Sequence, residues 1–241
     1  MLKYGIGIDA KPDSAKHLYL EAARWGDPMA ITELQGGEVD TDVFVTAPAD
    51  DTNPRTQLAY GLMFLFGCKA PYAPELAFYL LEKAAEAGSA DAMYVLGQAY
   101  ENGIGCYRSV GVAKKWYQWG ADKGNGACAY VLGWMWESGG EYGQKDVDLA
   151  LSYYRRASKC EGMDDDVRSD VFYALGSILR VIEPEESMEC LVEAARLGHP
   201  GAQLNAGTIM LDAGDEKGWE LISQAADQGD EAAQEMLKSR P

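Results

Sequence analysis

An internal repeat constrains the fold of this chain more than any other feature of its sequence. Glycines at 61, 97 and 133 stand 36 residues apart, and each begins a Gly-x-x-aromatic-x-x-Gly run. A shorter form of the same element returns at Leu175-Gly176 and at Ala206-Gly207. Self-similarity at a period of about 20 to 50 residues is typical of repeat proteins, so we expect a stack of similar units.

A second element alternates with the first. It has a small residue, then two adjacent bulky residues, then a small pair, and in most copies a closing glycine, and it occurs at 15–26, 77–88, 113–124, 150–158, 187–198 and 218–229. Both elements place apolar residues at i, i+3, i+4 and i+7, which indicates helices. Small residues let two helices approach closely, and a glycine after a helix can take the left-handed conformation that ends it. The sequence therefore predicts an all-α solenoid of antiparallel helix pairs.

The combined pattern resembles the Sel1-like repeat (SLR), a relative of the tetratricopeptide repeat. The fit is closest at 90–124, where Gly103-Ile104-Gly105 and Trp116-Tyr117 match the family pattern, and the ordered series runs from about 14 to 238. The resemblance implies a right-handed α-solenoid, which we predict as a single domain over 1–241 with about five to six repeats. Segment 230–241 is predicted to be a C-terminal capping helix.

Two segments depart from the repeat. Segment 36–53 fits neither helix, and we predict an acidic insertion loop there. The step from the first residue of a small pair to the next Leu-Gly glycine is 13 residues from Ala84 to Gly97, but 19 residues from Ala157 to Gly176. An acidic insertion over 162–166 is therefore expected to lengthen that turn.

The charge balance limits the classes of partner. Lys and Arg total 21 against 38 for Asp and Glu, which gives a net charge of −17. Such a chain repels phosphate backbones and anionic lipid headgroups, so we do not expect it to bind nucleic acids or membrane surfaces. Mimicry of a nucleic acid is the alternative that remains open. The longest apolar run, near 58–66, is too short to span a bilayer.

The cysteines and the N-terminus bear on localisation. Five cysteines, with no Cys-x-x-Cys spacing, favour free thiols in a reducing compartment. The first residues lack an apolar signal segment of useful length. We therefore expect a cytoplasmic location, unless an export signal has been removed.

The chain offers few groups for catalysis. His17 and His199 are its two histidines, and neither has a Cys or carboxylate at ligand spacing. We interpret His199, in a Gly-His-Pro turn, as a surface or capping residue. The acidic clusters at 164–166 and at 183, 185 and 186 are interpreted as solvated turns, with a divalent-cation site as the alternative. No cofactor or metal site is predicted.

A column of aromatic residues is the candidate binding surface. Tyr94, Tyr130 and Tyr173 each stand three residues before a Leu-Gly glycine, and Trp134 follows its glycine directly. Resemblance to tetratricopeptide solenoids implies that the first helix of each repeat lines a concave groove. The predicted site consists of Tyr94, Gln98, Glu101, Tyr130, Trp134, Glu137 and Tyr173. The alternative is that these rings only pack between repeats.

An acidic stretch offers a second surface. Residues 25–54 contain no Lys or Arg. The carboxylates proposed there as a docking arm for a basic partner are Glu38, Asp40, Asp42, Asp50 and Asp51. The alternative is a solvated insertion without a partner.

The functional prediction follows from the resemblance and the charge. Members of the resembled family are adaptors and scaffolds, mostly bacterial, so we predict a non-enzymatic protein–protein interaction module whose partner has a basic surface. An immunity protein that neutralises a toxin and a hydrolase that uses the acidic clusters are the alternatives. Self-association through an exposed end is left open.

Overall fold

Helices account for most of the part of the chain that the structure, a computed structural model, describes: residues 52–66 and 74–239. Within these ranges there is no β-strand, only an isolated bridge between Gly140 and Gly143. The predicted all-α class is therefore confirmed there. The helices are α1 (Pro54–Phe66), α2 (Pro74–Glu86), α3 (Ala90–Asn102), α4 (Val110–Asp122), α5 (Gly126–Ser138), α6 (Val147–Ser158), α7 (Asp165–Leu179), α8 (Pro184–Arg196), α9 (Pro200–Asp212), α10 (Gly218–Asp227) and α11 (Glu231–Lys238).

The chain divides into two compact units, Met1–Cys128 and Ala129–Pro241. In the first unit, α1 packs on α2, α2 on α3 and α3 on α4. In the second unit, each helix from α6 to α10 packs on the helix that follows it. Within each unit, these helices thus bury apolar faces against their neighbours in sequence, as expected for a repeat protein. The single domain and the capping role of α11 stay predictions.

The turn between successive repeats has a recurring geometry. The glycines that close the second helix, Gly88, Gly124, Gly198 and Gly229, have positive φ angles of 93°, 89°, 95° and 94°. This left-handed conformation was predicted, and it costs glycine little because glycine has no Cβ. The next residue caps the following helix by accepting a hydrogen bond from the backbone N–H three residues on, at Ser89, Asn125, His199 and Asp230.

The glycine of each Leu-Gly pair lies where two helices nearly touch. A Cβ atom added at Gly97 would lie 2.5 Å from the ring of Tyr117, and one at Gly133 would lie 2.6 Å from the ring of Tyr154. The same register brings Gly61 against Leu81, Gly176 against Leu191 and Gly207 against Ile222. The predicted reason for the small column is confirmed, because any larger residue there would collide with the second bulky residue of the paired helix.

Apolar side chains fill the spaces between these helix pairs. In the first unit, buried residues of α1, α2 and α3 form one cluster that includes the fully buried Leu80, Leu81 and Leu96. In the second unit, one cluster is formed by residues of α8 and α9 and another by residues of α10 and α11, around Ile222 and Ala233. No helix among the residues that the structure describes is long and apolar enough to cross a membrane.

The acidic insertion is divided between a turn and a helix. Six residues, 159–164, connect α6 to α7, whereas three residues, 87–89, connect α2 to α3. Helix α7 has 15 residues and α3 has 13. The predicted longer turn is present, and the insertion also lengthens α7. Asp165 and Asp166 form the first helical turn, where free backbone N–H groups favour carboxylates. Most of the predicted insertion loop, 36–51, lies outside the described residues.

Candidate partner-binding site

The three predicted tyrosines are half-buried and pack against other rings. The ring centroid of Tyr94 lies 6.0 Å from that of Tyr117, and the centroid of Tyr130 lies 5.8 Å from that of Tyr154. Tyr173 stacks on His199 with 4.0 Å between the centroids. These rings thus take part in packing, as the alternative interpretation expected, and keep only part of their surface exposed.

Two predicted site glutamates bind buried tyrosines. The hydroxyl of Tyr117 donates a 2.7 Å hydrogen bond to Glu101 Oε2, and the hydroxyl of Tyr154 donates one of 2.7 Å to Glu137 Oε2. Both tyrosines are almost fully buried, so each hydroxyl needs an acceptor inside the protein. Burial raises the pKa of Tyr154 above its ordinary value, which keeps the hydroxyl protonated as a donor.

The other repeats show why these glutamates are present. Glu101 and Glu137 each stand four residues after the Leu-Gly glycine. Where Leu81 and Ile222 replace the buried tyrosine, Leu65 and Leu211 stand at the glutamate position. The glutamate therefore accompanies a buried hydroxyl. Sequence analysis missed this structural role, although the paired replacement was visible in the sequence.

Gln98 and Trp134 occupy equivalent positions in two repeats. Gln98 Nε2 donates a 2.7 Å hydrogen bond to the hydroxyl of Tyr94. Trp134 is 41% exposed, and its ring centroid lies 4.9 Å from that of Tyr142. Tyr142 was missed because it is out of register with the tyrosine of the preceding loop: Tyr142 stands three residues after Gly139, whereas Tyr107 stands four residues after Gly103. Trp134 therefore combines a large aromatic surface with access to solvent, as a binding residue requires.

Carboxylates surround Tyr130. Burial, together with smaller contributions from the negative charges of Asp170 and Glu137, raises the pKa of Tyr130 to about 12. Asp170 was not among the predicted site residues, and its side chain is 41% exposed. The structure thus brings Tyr130, Glu137 and Asp170 together in the second unit. In the first unit, Tyr94, Gln98 and Glu101 lie along α3.

Comparison with protein families accounts for the repeat pattern. The Sel1 repeat model matches six segments, 1–27, 54–89, 90–125, 126–161, 171–199 and 202–230, which together make up more than half of the chain. The chain belongs to the Sel1 repeat family. The predicted resemblance is confirmed, and repeats of this kind are protein-interaction modules. The unmatched segment 28–53 contains the predicted insertion at 36–53.

Solved structures show the same fold. The crystal structure of a Sel1 repeat protein from Oxalobacter formigenes has a TM-score of 0.69 and 22% identity, over 92% of this chain and 86% of that one. A protective antigen of uropathogenic Escherichia coli with an SLR fold has a TM-score of 0.67 and 24% identity, over 97% of this chain and 53% of that one. The chain thus spans about half of that antigen. These likenesses confirm the predicted solenoid class of SLR/TPR-like helix pairs.

Other comparisons add nothing about function. No curated protein matches this Sel1 repeat chain. An immunity protein from Pseudomonas aeruginosa has a TM-score of 0.46 and 17% identity, a likeness too low to bear on the role of this chain. The immunity and hydrolase alternatives stay predictions.

The acidic cluster at 183, 185 and 186 has a structural partner. Arg155 Nη2 lies 3.0 Å from Glu183 Oε1 and 2.8 Å from Glu186 Oε2, so it links α6 to the start of α8. Among residues 52–66 and 74–239, no group of three or more His, Cys, Asp or Glu side chains has the arrangement to hold a metal ion. The docking candidates Glu38, Asp40, Asp42, Asp50 and Asp51 lie outside these ranges.

His199 caps the first helix of a Sel1 repeat, one of the two roles predicted for it. Its Nδ1 accepts a 3.1 Å hydrogen bond from the backbone N–H of Ala202, and its Nε2 lies 3.7 Å from Asp170 Oδ1. Burial lowers the pKa of His199, and the charge of Asp170 opposes this shift only in part. Because Nδ1 accepts a hydrogen bond, the imidazole is neutral in this cap.

The cap predicts a pH-dependent stability. Since the folded pKa of His199 lies below the unfolded value of about 6.5, the unfolded state binds more protons near pH 6. The cap's stabilisation is therefore present above the unfolded pKa and is lost as pH falls through the folded pKa. His199→Asn retains a capping oxygen that does not titrate. We expect the wild type to lose about 1 kcal/mol more unfolding free energy than this variant between pH 7 and 5, in urea denaturation. Identical losses in the two proteins would contradict the assignment.

Proposed function

We propose that this chain is an adaptor or scaffold module that binds a protein with a basic surface through the exposed side of its first helices. The observation that carries the proposal is Trp134, a large aromatic residue that is 41% exposed on the first helix of a Sel1 repeat. Aromatic side chains that remain accessible on a rigid helix are frequent centres of binding energy.

The charge of the chain supports the choice of partner. The net charge is −17, and Glu137 and Asp170 place negative charge near Tyr130. Complementary charge accelerates the encounter of two proteins and selects among partners. A basic protein surface is therefore the complement of this chain.

The salt dependence of association tests this proposal. The partner is isolated by co-purification from the native cell, and its binding rates are then measured with both purified proteins. Since exposed charges are screened beyond about 8 Å near physiological salt, the association rate should fall by about tenfold between low and high salt. The dissociation rate should change less. Association rates that do not depend on salt would contradict a basic partner surface.

The same complex locates the surface. Trp134→Ala should weaken binding by about 2 kcal/mol or more and leave the melting temperature close to that of the wild type. Tyr130→Ala should lower the melting temperature, because the Tyr130 ring packs on Tyr154. If Trp134→Ala instead loses stability and the folded fraction keeps its affinity, Trp134 is a packing residue and the proposed surface is wrong.

A further inference from the structure

An aromatic and acidic patch lies on the second unit, centred on Trp134. Tyr130, Trp134 and Glu137 occupy positions i, i+4 and i+7 of α5, which places them on one face of the helix. The ring of Tyr142 packs against the indole at an interplanar angle of 62°. We call this surface the Trp134 patch, and it consists of Tyr130, Trp134, Glu137 and Tyr142.

The loop after α5 holds Tyr142 against the indole. Gly139, Gly140 and Gly143 have positive φ angles of 64°, 64° and 116°. The N–H of Tyr142 donates a 3.2 Å hydrogen bond to the carbonyl of Gly139, and the N–H of Asp146 donates one of 2.9 Å to the carbonyl of Trp136. Backbone turns therefore position Tyr142 before any partner binds, which reduces the entropy lost on binding.

The charge around the patch is negative. Segment 137–148 contains Glu137, Glu141, Asp146 and Asp148 but a single cationic side chain, Lys145. Glu137 uses Oε2 to accept the hydrogen bond from Tyr154, and its other carboxylate oxygen can accept a further donor. An aromatic face beside carboxylates is the environment that a cationic side chain prefers.

Trp119 provides a contrast in the first unit. It is 50% exposed on α4, which is similar to Trp134. However, Lys115 and Lys123 stand four residues before and after it, and Asp122 stands three residues after it, so the charge of these neighbours is positive on balance. Exposure is thus matched between the two tryptophans, while the sign of the surrounding charge is opposite.

We propose that the Trp134 patch binds an arginine side chain of the basic partner, with the guanidinium stacked on the indole of Trp134 and hydrogen-bonded to the carboxylate of Glu137. This inference rests on the proposed function and identifies the group that the surface recognises. The planar guanidinium can stack on a ring and donate to a carboxylate at the same time, whereas an ammonium group is a compact and strongly hydrated charge. Arginine therefore fits the patch better than lysine.

Three short peptides test the chemistry. They are identical except for one central residue, which is arginine, lysine or citrulline, the last being a neutral analogue with nearly the same shape as arginine. Binding is followed by NMR from the indole N–H signal of Trp134, which is assigned by its loss in Trp134→Phe. We expect the citrulline peptide to bind about fivefold more weakly than the arginine peptide, the order that a cation–ring contact contributes. The lysine peptide should lie between them.

Variants of the full chain test the location. Trp134→Ala and Glu137→Gln should each weaken binding of the arginine peptide, whereas Trp119→Ala should leave it unchanged. Glu137→Gln retains an oxygen that can accept the hydrogen bond from Tyr154, so its melting temperature should stay near that of the wild type. A loss of affinity in this variant then reports the charge of Glu137 rather than the fold.

Several outcomes overturn the proposal. Equal affinities for the arginine and citrulline peptides would show that the positive charge does not contribute to binding. Equal affinities for the arginine and lysine peptides would show that the patch does not prefer a guanidinium group. If Trp134→Ala and Glu137→Gln both bind the arginine peptide as tightly as the wild type, the Trp134 patch is not the binding site. If any of these occurs while association with the co-purified partner still slows with salt, this inference fails and the proposed function stands. Salt-independent association with that partner would defeat the proposed function itself.

Discussion

Leu96→Ala and Leu132→Ala are each expected to lower the free energy of unfolding by about 2–5 kcal/mol. Both side chains are fully buried. Leu96 lies in a cluster with residues of α1 and α2, so it joins the repeat at 90–125 to the one at 54–89. Truncation removes the transfer free energy of the lost methyl groups and leaves a cavity that rigid helices cannot fully close. Urea denaturation followed by circular dichroism measures the effect.

A control variant shows whether the loss of stability comes from burial of the side chain or from truncating any large side chain. Tyr107 is 96% exposed in the loop after α3, and Tyr107→Ala should change the unfolding free energy by no more than about 0.5 kcal/mol. Unchanged denaturation midpoints in both leucine variants would show that the helices do not pack as described. A circular-dichroism spectrum dominated by β-structure would contradict the fold itself.

Gly97→Ala and Gly133→Ala should destabilise the protein by about 1–3 kcal/mol, although alanine favours helices by about 1 kcal/mol over glycine. The added Cβ would lie 2.5 Å from the ring of Tyr117 or 2.6 Å from that of Tyr154. These rings cannot move aside easily, because each is buried and its hydroxyl is hydrogen-bonded to a glutamate. The steric cost should therefore exceed the gain in helix propensity. Thermal and urea denaturation measure the net change.

Gly111→Ala is the control for the glycine variants. Gly111 also lies in a helix, α4, but a Cβ there would meet no heavy atom within 4 Å. This variant should be as stable as the wild type or up to about 1 kcal/mol more stable. The double variant Gly97→Ala/Tyr117→Ala should be less destabilised than the sum of its single variants, because removing the ring removes the collision. Additive effects, or a Gly97→Ala protein as stable as the wild type, would show that the close approach is not limiting.

The repeating contacts of the fold could be predicted from the sequence. The contact of Gly97 with Tyr117 recurs in register as Gly133 with Tyr154 and Gly61 with Leu81. A contact that recurs in each repeat leaves a column of similar residues at a fixed spacing. Such spacing can be read directly from the sequence. The helix pairs, the glycine column and the left-handed turns could therefore all be predicted without a structure.

The candidate site was only partly predictable. Its aromatic members Tyr130 and Trp134 follow from the register of the repeat, but their exposure does not. The structure shows a half-buried Tyr130 against Tyr154 and a Trp134 with 41% of its surface exposed. Exposure depends on which neighbouring side chains cover a ring, and those neighbours come from other helices and loops.

The sequence by itself determined the family, the helix pairs and the sites of close helix contact, whereas the tertiary structure decided which predicted side chains face a partner. Tyr142 illustrates the difference, because its loop is one residue longer between Gly139 and Ala150 than between Gly103 and Ala113. Tyr142 and Tyr107, the tyrosine of the preceding loop, therefore do not share a repeat position, and residue spacing does not indicate the contact of Tyr142 with Trp134. The loop that carries Tyr142 has left-handed backbone at Gly139, Gly140 and Gly143, whereas the preceding loop has it at Gly103 and Gly105. Backbone angles in an unrepeated loop are set by local sterics and by the surface on which the loop folds, and residue spacing records neither.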